Sequence, residues 1–166
     1  MAFEIPDDLN PNLLGLAWML GRWEGSGKGT WPGVGEFDYG QQVDVTHNGG
    51  DYLHYLSQTF EVDDAGKAVR PLSMETGFWR ASGDGELDLV LAHPEGYAEI
   101  WYGKSDGAKI ELTTDAVMRT KGAEPVTGGQ RLYGNVEGDL LWTWDRATTE
   151  VPLQAFMWAR LQRAAA

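Results

Sequence analysis

Cysteine is absent from this chain of 166 residues. Disulfides, thiolate metal centres and cysteine nucleophiles are therefore excluded. Basic residues are scarce: 13 Lys and Arg stand against 25 Asp and Glu, a formal net charge of −12. A surface of that sign repels phosphate backbones and anionic lipid heads, so neither nucleic acid nor membrane is expected as a partner. No apolar run approaches the roughly 20 residues that cross a bilayer as a helix. The start, Met1-Ala2-Phe3-Glu4-Ile5-Pro6-Asp7-Asp8, lacks the basic and apolar stretches of a signal peptide, and a cytoplasmic location is expected. His47, His54 and His93 are the only histidines. They are scattered without metal-ligand spacing, so turn or surface positions are expected and no metal site is assigned. No Gly-x-Ser-x-Gly elbow or Ser/His/Asp ordering stands out, and no catalytic residue is assigned.

Glycine and tryptophan are abundant, at 22 and 8 residues. The hydrophobic share of 42% is that of a globular protein, and the length suits a single domain over 1–166. Short apolar runs recur at about 21–29, 37–46, 52–62, 70–81, 86–93, 97–105, 109–118, 128–135, 139–148 and 152–163. Turn chemistry separates them, as in Asp63-Asp64-Ala65-Gly66, Pro94-Glu95-Gly96 and Glu137-Gly138. The pattern predicts an all-β fold of about ten antiparallel strands, an up-and-down β-barrel, with a β-sandwich as the alternative. One short helix is expected between about 10 and 20. Asn10 caps it, Pro11 opens it, and Leu13, Leu14, Ala17 and Trp18 recur at helical spacing. Ala164-Ala165-Ala166 reads as a frayed tail.

The sharpest local pattern is Gly-x-Trp-x-Gly-x-Gly at Gly21, Trp23, Gly25 and Gly27. A phosphate-binding loop needs its glycines to open a helix, whereas here Trp31-Pro32-Gly33 and another strand follow. Alternate glycines instead bare one face of a strand for close approach, and Trp23 is expected to plug one end of the barrel.

That signature is similar to one found in the nitrobindin family, small barrels of the lipocalin-like and fatty-acid-binding-protein-like type. Further stretches resemble the family in order: Phe37-Asp38-Tyr39-Gly40, Tyr55 to Phe60, Glu75-Thr76-Gly77-Phe78-Trp79-Arg80, Leu89 to Ile100, and Pro152-Leu153-Gln154. The resemblance runs from about Leu16 to Arg163. It implies a barrel that holds ferric haem b through one histidine of the last strand, binds nitric oxide and isomerises peroxynitrite to nitrate. Three positions depart from the pattern. Phe156 stands where the family has the iron-ligating histidine, Ser73 where some members have a histidine near the haem, and Arg146 where some have an apolar residue facing the pocket. The chain most resembles the subgroup described as ferric nitrobindin-like proteins. A benzyl group has no lone pair for iron, so no cofactor is expected.

If Phe156 faces inward, strand alternation carries Trp158 and Arg160 inward with it and Met157 outward, unless a bulge intervenes. Trp142, Trp144 and Arg146 likewise share a face. The candidate pocket is thus Ser73, Trp142, Trp144, Arg146, Phe156, Trp158 and Arg160. It suits a small apolar or aromatic ligand, or an anionic one if an arginine is free to grip it. The preferred reading of Arg146 itself places it at the rim in water or paired with a neighbouring acid such as Asp145 or Glu150. Three functions stay open. The leading one is a binding barrel without enzymatic activity. The second is a haem protein with peroxynitrite isomerase activity through another iron ligand. The third is a packed barrel serving as a protein-interaction module.

Overall fold

The computed structural model describes residues 3–165. Met1, Ala2 and Ala166 lie outside the described residues, and with them the end of the expected tail. Ala164 is not frayed: its N–H donates to the Arg22 carbonyl at 2.8 Å.

Ten strands follow one helix. They are Gly21–Trp31 (β1), Gly35–Thr46 (β2), Tyr52–Val62 (β3), Ala68–Ala81 (β4), Glu86–His93 (β5), Tyr97–Asp106 (β6), Lys109–Arg119 (β7), Val126–Val136 (β8), Asp139–Thr148 (β9) and Gln154–Arg163 (β10). Each pairs antiparallel with its sequence neighbour, and β10 closes on β1. The result is the expected up-and-down barrel, and closure leaves no open sheet edge. Burial alternates along the strands. In β3, for example, Leu53, Tyr55, Ser57 and Thr59 point in, as a period of two requires.

The N-terminal helix, Pro11–Met19, is a 3₁₀ helix rather than an α-helix. Asn10 caps it as expected, its side chain accepting the Asn12 N–H at 2.9 Å. At three residues per turn, Leu13, Leu16 and Met19 share the buried face. Leu14, which an α-helical spacing placed inward, is 54% exposed.

The helix closes one end of the barrel. Trp23, fully buried, donates from Nε1 to the Met19 carbonyl at 2.8 Å. The Arg163 guanidinium lies 4.2 Å from the Trp23 ring and donates to the Trp18 and Leu20 carbonyls. Gly21 opens β1 with φ of 116°, a backbone that other residues avoid. At Gly27 a Cβ would lie 2.4 Å from the Trp158 carbonyl and 2.5 Å from the Tyr39 ring. The bare strand lets Tyr39 lie against β1 and donate its hydroxyl to that carbonyl at 3.0 Å. Among the described residues no helix is long and apolar enough to cross a membrane.

Candidate functional site

Away from the helix the barrel interior holds a cleft of about 560 Å³. That volume is typical of small-molecule sites. Its wall is aromatic and aliphatic, with Trp31, Phe37, Trp142, Trp144, Phe156 and Met157 among the lining side chains. Asp38, Glu61, Glu95 and Glu124 also line it. Three of these are matched by donors of their own: Lys28 on Asp38 at 2.7 Å, Arg70 on Glu61 at 2.6 Å, and the Ser73 hydroxyl on Glu95 at 2.5 Å.

One wall is built around Arg146. Trp142, Trp144 and Arg146 alternate inward along β9 and are all buried. The Arg146 guanidinium lies against two rings, 4.3 Å from Trp31 and 4.1 Å from Phe156. Such stacking favours a planar cation over an aromatic face. The Phe156 ring meets Trp31 and Trp144 edge-on, at 5.1 and 4.9 Å. Arg146 is not solvated at the rim, and neither Asp145 nor Glu150 pairs with it. Its Nη2 donates to Glu124 Oε2 at 3.0 Å, while its buried Nε has no acceptor among the described residues.

The inward facing expected for Trp158 and Arg160 is corrected by a bulge. Ala155 pairs with Asp145 and Met157 with Trp144, so Phe156 is an extra residue in β10. An inserted residue resets the alternation. Phe156 and Met157 therefore both line the cleft. Ala159 and Leu161 continue inward, and Trp158 is 36% exposed. Arg160 also faces outward, where it pairs with Asp139 at 2.6 Å. Ser73 lines the cleft.

Behind the cleft lies a polar layer that sequence reasoning did not find. Arg131 of β8 grips Glu75 of β4 end-on, Nη1 to Oε2 at 2.5 Å and Nη2 to Oε1 at 2.9 Å. Arg131 also donates to the Tyr133 hydroxyl at 3.0 Å and lies 3.9 Å from the Trp144 ring. Burial pushes the Glu75 carboxyl up, but the Arg131 charge and hydrogen bonds outweigh it, leaving Glu75 below its ordinary value. Burial likewise opposes the charge on Arg131, and Glu75 outweighs it, so its value is raised. Beside this pair, Trp142 Nε1 donates to Gln41 Oε1 at 2.8 Å, and Gln41 Nε2 donates to the Ser57 hydroxyl at 2.9 Å. Strand parity could have placed Glu75 with inward Gly77 and Trp79, and Arg131 with Tyr133. Their residue types argued against an interior position.

His93 is the other correction. It is not a surface turn residue: its side chain is 2% exposed, with Nε2 2.6 Å from Glu99 Oε1. The ring is stacked 4.2 Å from Tyr97 and 5.7 Å from Trp144. His54 and His47 are partly buried. His54 lies 2.9 Å from the Thr76 hydroxyl, and His47 Nε2 lies 3.7 Å from Asp8.

A haem iron needs an axial donor, and position 156 does not supply one. Phe156 offers a phenyl ring already stacked against a cation. His93, the one imidazole lining the cleft, is stacked between rings and tied to Glu99. Among the described residues, no group of three or more His, Cys, Asp or Glu side chains is placed to hold a metal ion. The cleft fits a flat apolar molecule in size and lining, with phenylalanine in place of a histidine at position 156.

Comparison with known proteins places this geometry among relatives. Residues 12–163 match the family described as THAP4-like, heme-binding beta-barrel domain. A ferric nitrobindin-like protein of Cutibacterium acnes is 62% identical, over 98% of this chain and 99% of the relative. A peroxynitrite isomerase of a Nocardioides species is 50% identical over the same shares. The crystal structure of Rv2717c from M. tuberculosis superposes with a TM-score of 0.85 at 34% identity, covering 95% of this chain and 99% of that one.

Proposed function

The chain belongs to the nitrobindin-like family of haem-binding β-barrels, and from that premise we propose that it is a small-molecule-binding barrel that has lost the protein–iron bond. The observation that carries this reading is the Trp31–Arg146–Phe156 cluster. It puts an aromatic ring where the family's resemblance puts the ligating histidine, and a cation against that ring. The cleft is retained, and its lining favours a flat, largely apolar occupant held by burial and stacking. Its existence argues against a packed barrel acting only as a protein-interaction module.

A second reading keeps haem and has the protein isomerise peroxynitrite to nitrate. The relative named peroxynitrite isomerase, at 50% identity, favours it. Haem bound there would supply a ferric centre for that chemistry. This chain's residues would contribute only the aromatic walls and the polar layer behind them.

The two readings separate in one titration. Haemin and iron-free protoporphyrin are added to the purified protein, and tryptophan quenching and the Soret band are followed. The proposal expects similar affinity for both porphyrins, or for neither, with no sharp ligand-bound haem spectrum. A stoichiometric complex formed only by haemin, with a defined spectrum, would overturn it.

A further inference from the structure

Arg146 is a half-filled fork. In a guanidinium, Nε and Nη2 form one edge, whose two N–H groups match the two oxygens of a carboxylate. Arg131 makes such a match at its other edge, Nη1 and Nη2 on the two oxygens of Glu75, while its Nε is also buried without an acceptor among the described residues. At Arg146, Nη2 donates to one oxygen of Glu124, and Nε is buried without an acceptor among the described residues. A buried charged donor left unpaired is costly, and Arg146, unlike Arg131, lines the cleft, so its unfilled edge is the candidate ligand position. The adjoining Trp144 Nε1 is a second buried donor without an acceptor. Both residues line the cleft. The unmet demand on this wall is for oxygen acceptors.

The holder of the other half is poorly secured. The Arg146 side chain is 7% exposed, but that of Glu124 is 44% exposed. Glu124 belongs to no strand and lies in the segment between β7 and β8. It resembles a substitute for a ligand more than a permanent partner. The rest of the rim restricts what can replace it, because Asp38, Glu61 and Glu95 also line the cleft. One anionic group at Arg146 is accommodated, whereas a second would meet these acids.

Resting on the binding-barrel reading above, we propose that the natural ligand class is an aromatic monocarboxylate. Its carboxylate displaces Glu124 and takes the Nε–Nη2 edge of Arg146, and its ring system fills the cleft against Trp144, Phe156 and Met157. Glu124 is then a built-in competitor that holds the fork until ligand arrives.

The test uses 2-naphthoate, its neutral isostere 2-naphthamide and naphthalene-2,6-dicarboxylate, each followed by calorimetric titration of the full chain. The acid should bind roughly ten- to a hundredfold tighter than the amide, as expected for a charge-assisted bidentate pair. The dicarboxylate should bind more weakly than the monoacid. Glu124→Ala should tighten the acid several-fold and leave the amide unchanged. Arg146→Met should bring the acid down to the level of the amide. Equal binding of acid and amide, unaltered in Glu124→Ala, would overturn the clamp while leaving the binding barrel standing. Failure of all three probes to bind would overturn both.

Discussion

Replacing Arg131 by Met is the most informative perturbation of the interior. The Arg131 side chain is fully buried and holds the carboxylate of Glu75, itself 9% exposed, through two hydrogen bonds. Arg131→Met leaves that carboxylate without its charge partner. Breaking a buried pair from one side costs about 3–5 kcal/mol. The variant also loses the stack on Trp144 at 3.9 Å. For a chain of this size each kcal/mol lowers Tm by about 2–4 °C, so a fall of roughly 6–20 °C is expected at pH 7. The pH dependence has a definite sign. In the natural protein Glu75 sits below its ordinary 4.5, so the pair's contribution is present above that value and is lost as pH falls through the lowered one. In the variant, burial becomes the dominant influence on Glu75, opposed only by His93 and a Tyr55 hydrogen bond, and pushes its carboxyl up, so protonation relieves the charge as pH falls from 7. The Tm gap between the two proteins should therefore narrow towards pH 4.5. Arg131→Met combined with Glu75→Gln should recover much of the loss at pH 7. Thermal melts by circular dichroism read these three proteins and Glu75→Gln alone. A double variant as unstable as the sum of the single ones, with a pH-independent gap, would refute the reasoning.

Other outcomes follow from the same geometry. Gly77→Ala should destabilise by about 3 kcal/mol or more, read by urea unfolding, because its Cβ would lie 1.6 Å from the Val90 carbonyl. Trp158→Ser should leave binding of an apolar fluorescent probe unchanged while Met157→Ala weakens it. The reverse result would contradict the bulge at Phe156. His93→Leu should cost roughly 3 kcal/mol in the same unfolding assay, since Glu99 Oε2 already lacks a partner and Oε1 would then lose its own.

The barrel was largely legible in the sequence. All ten expected strand segments lie within two residues of the observed ones at each end, because turn residues punctuate them. Gly96 and Gly138, at φ of 97° and 86°, occupy conformations that mark such turns. The helix was legible in position but not in type, since Leu13, Leu16 and Met19 repeat every three residues. The site was legible in part. Period-two parity placed Trp142, Trp144 and Arg146 together on β9, where no bulge interrupts them. It failed on β10, because Ala155-Phe156-Met157 contains no glycine or proline to announce an inserted residue. The bulge exists only in the pairing with β9. Glu75 and Arg131 lie 56 positions apart and are joined by closure of the barrel. Trp31 had a usable signal, being in phase with Trp23, Gly25 and Gly27 along β1.

The central claim is that residue 156 decides whether this barrel holds iron. Haemin is titrated into the natural protein and into Phe156→His, with the Soret band and its shift on adding imidazole followed in both. The account predicts a sharp, stoichiometric band for Phe156→His and only weak, unstructured absorbance for the natural protein. The same sharp band from the natural protein, unchanged by the substitution, would contradict it.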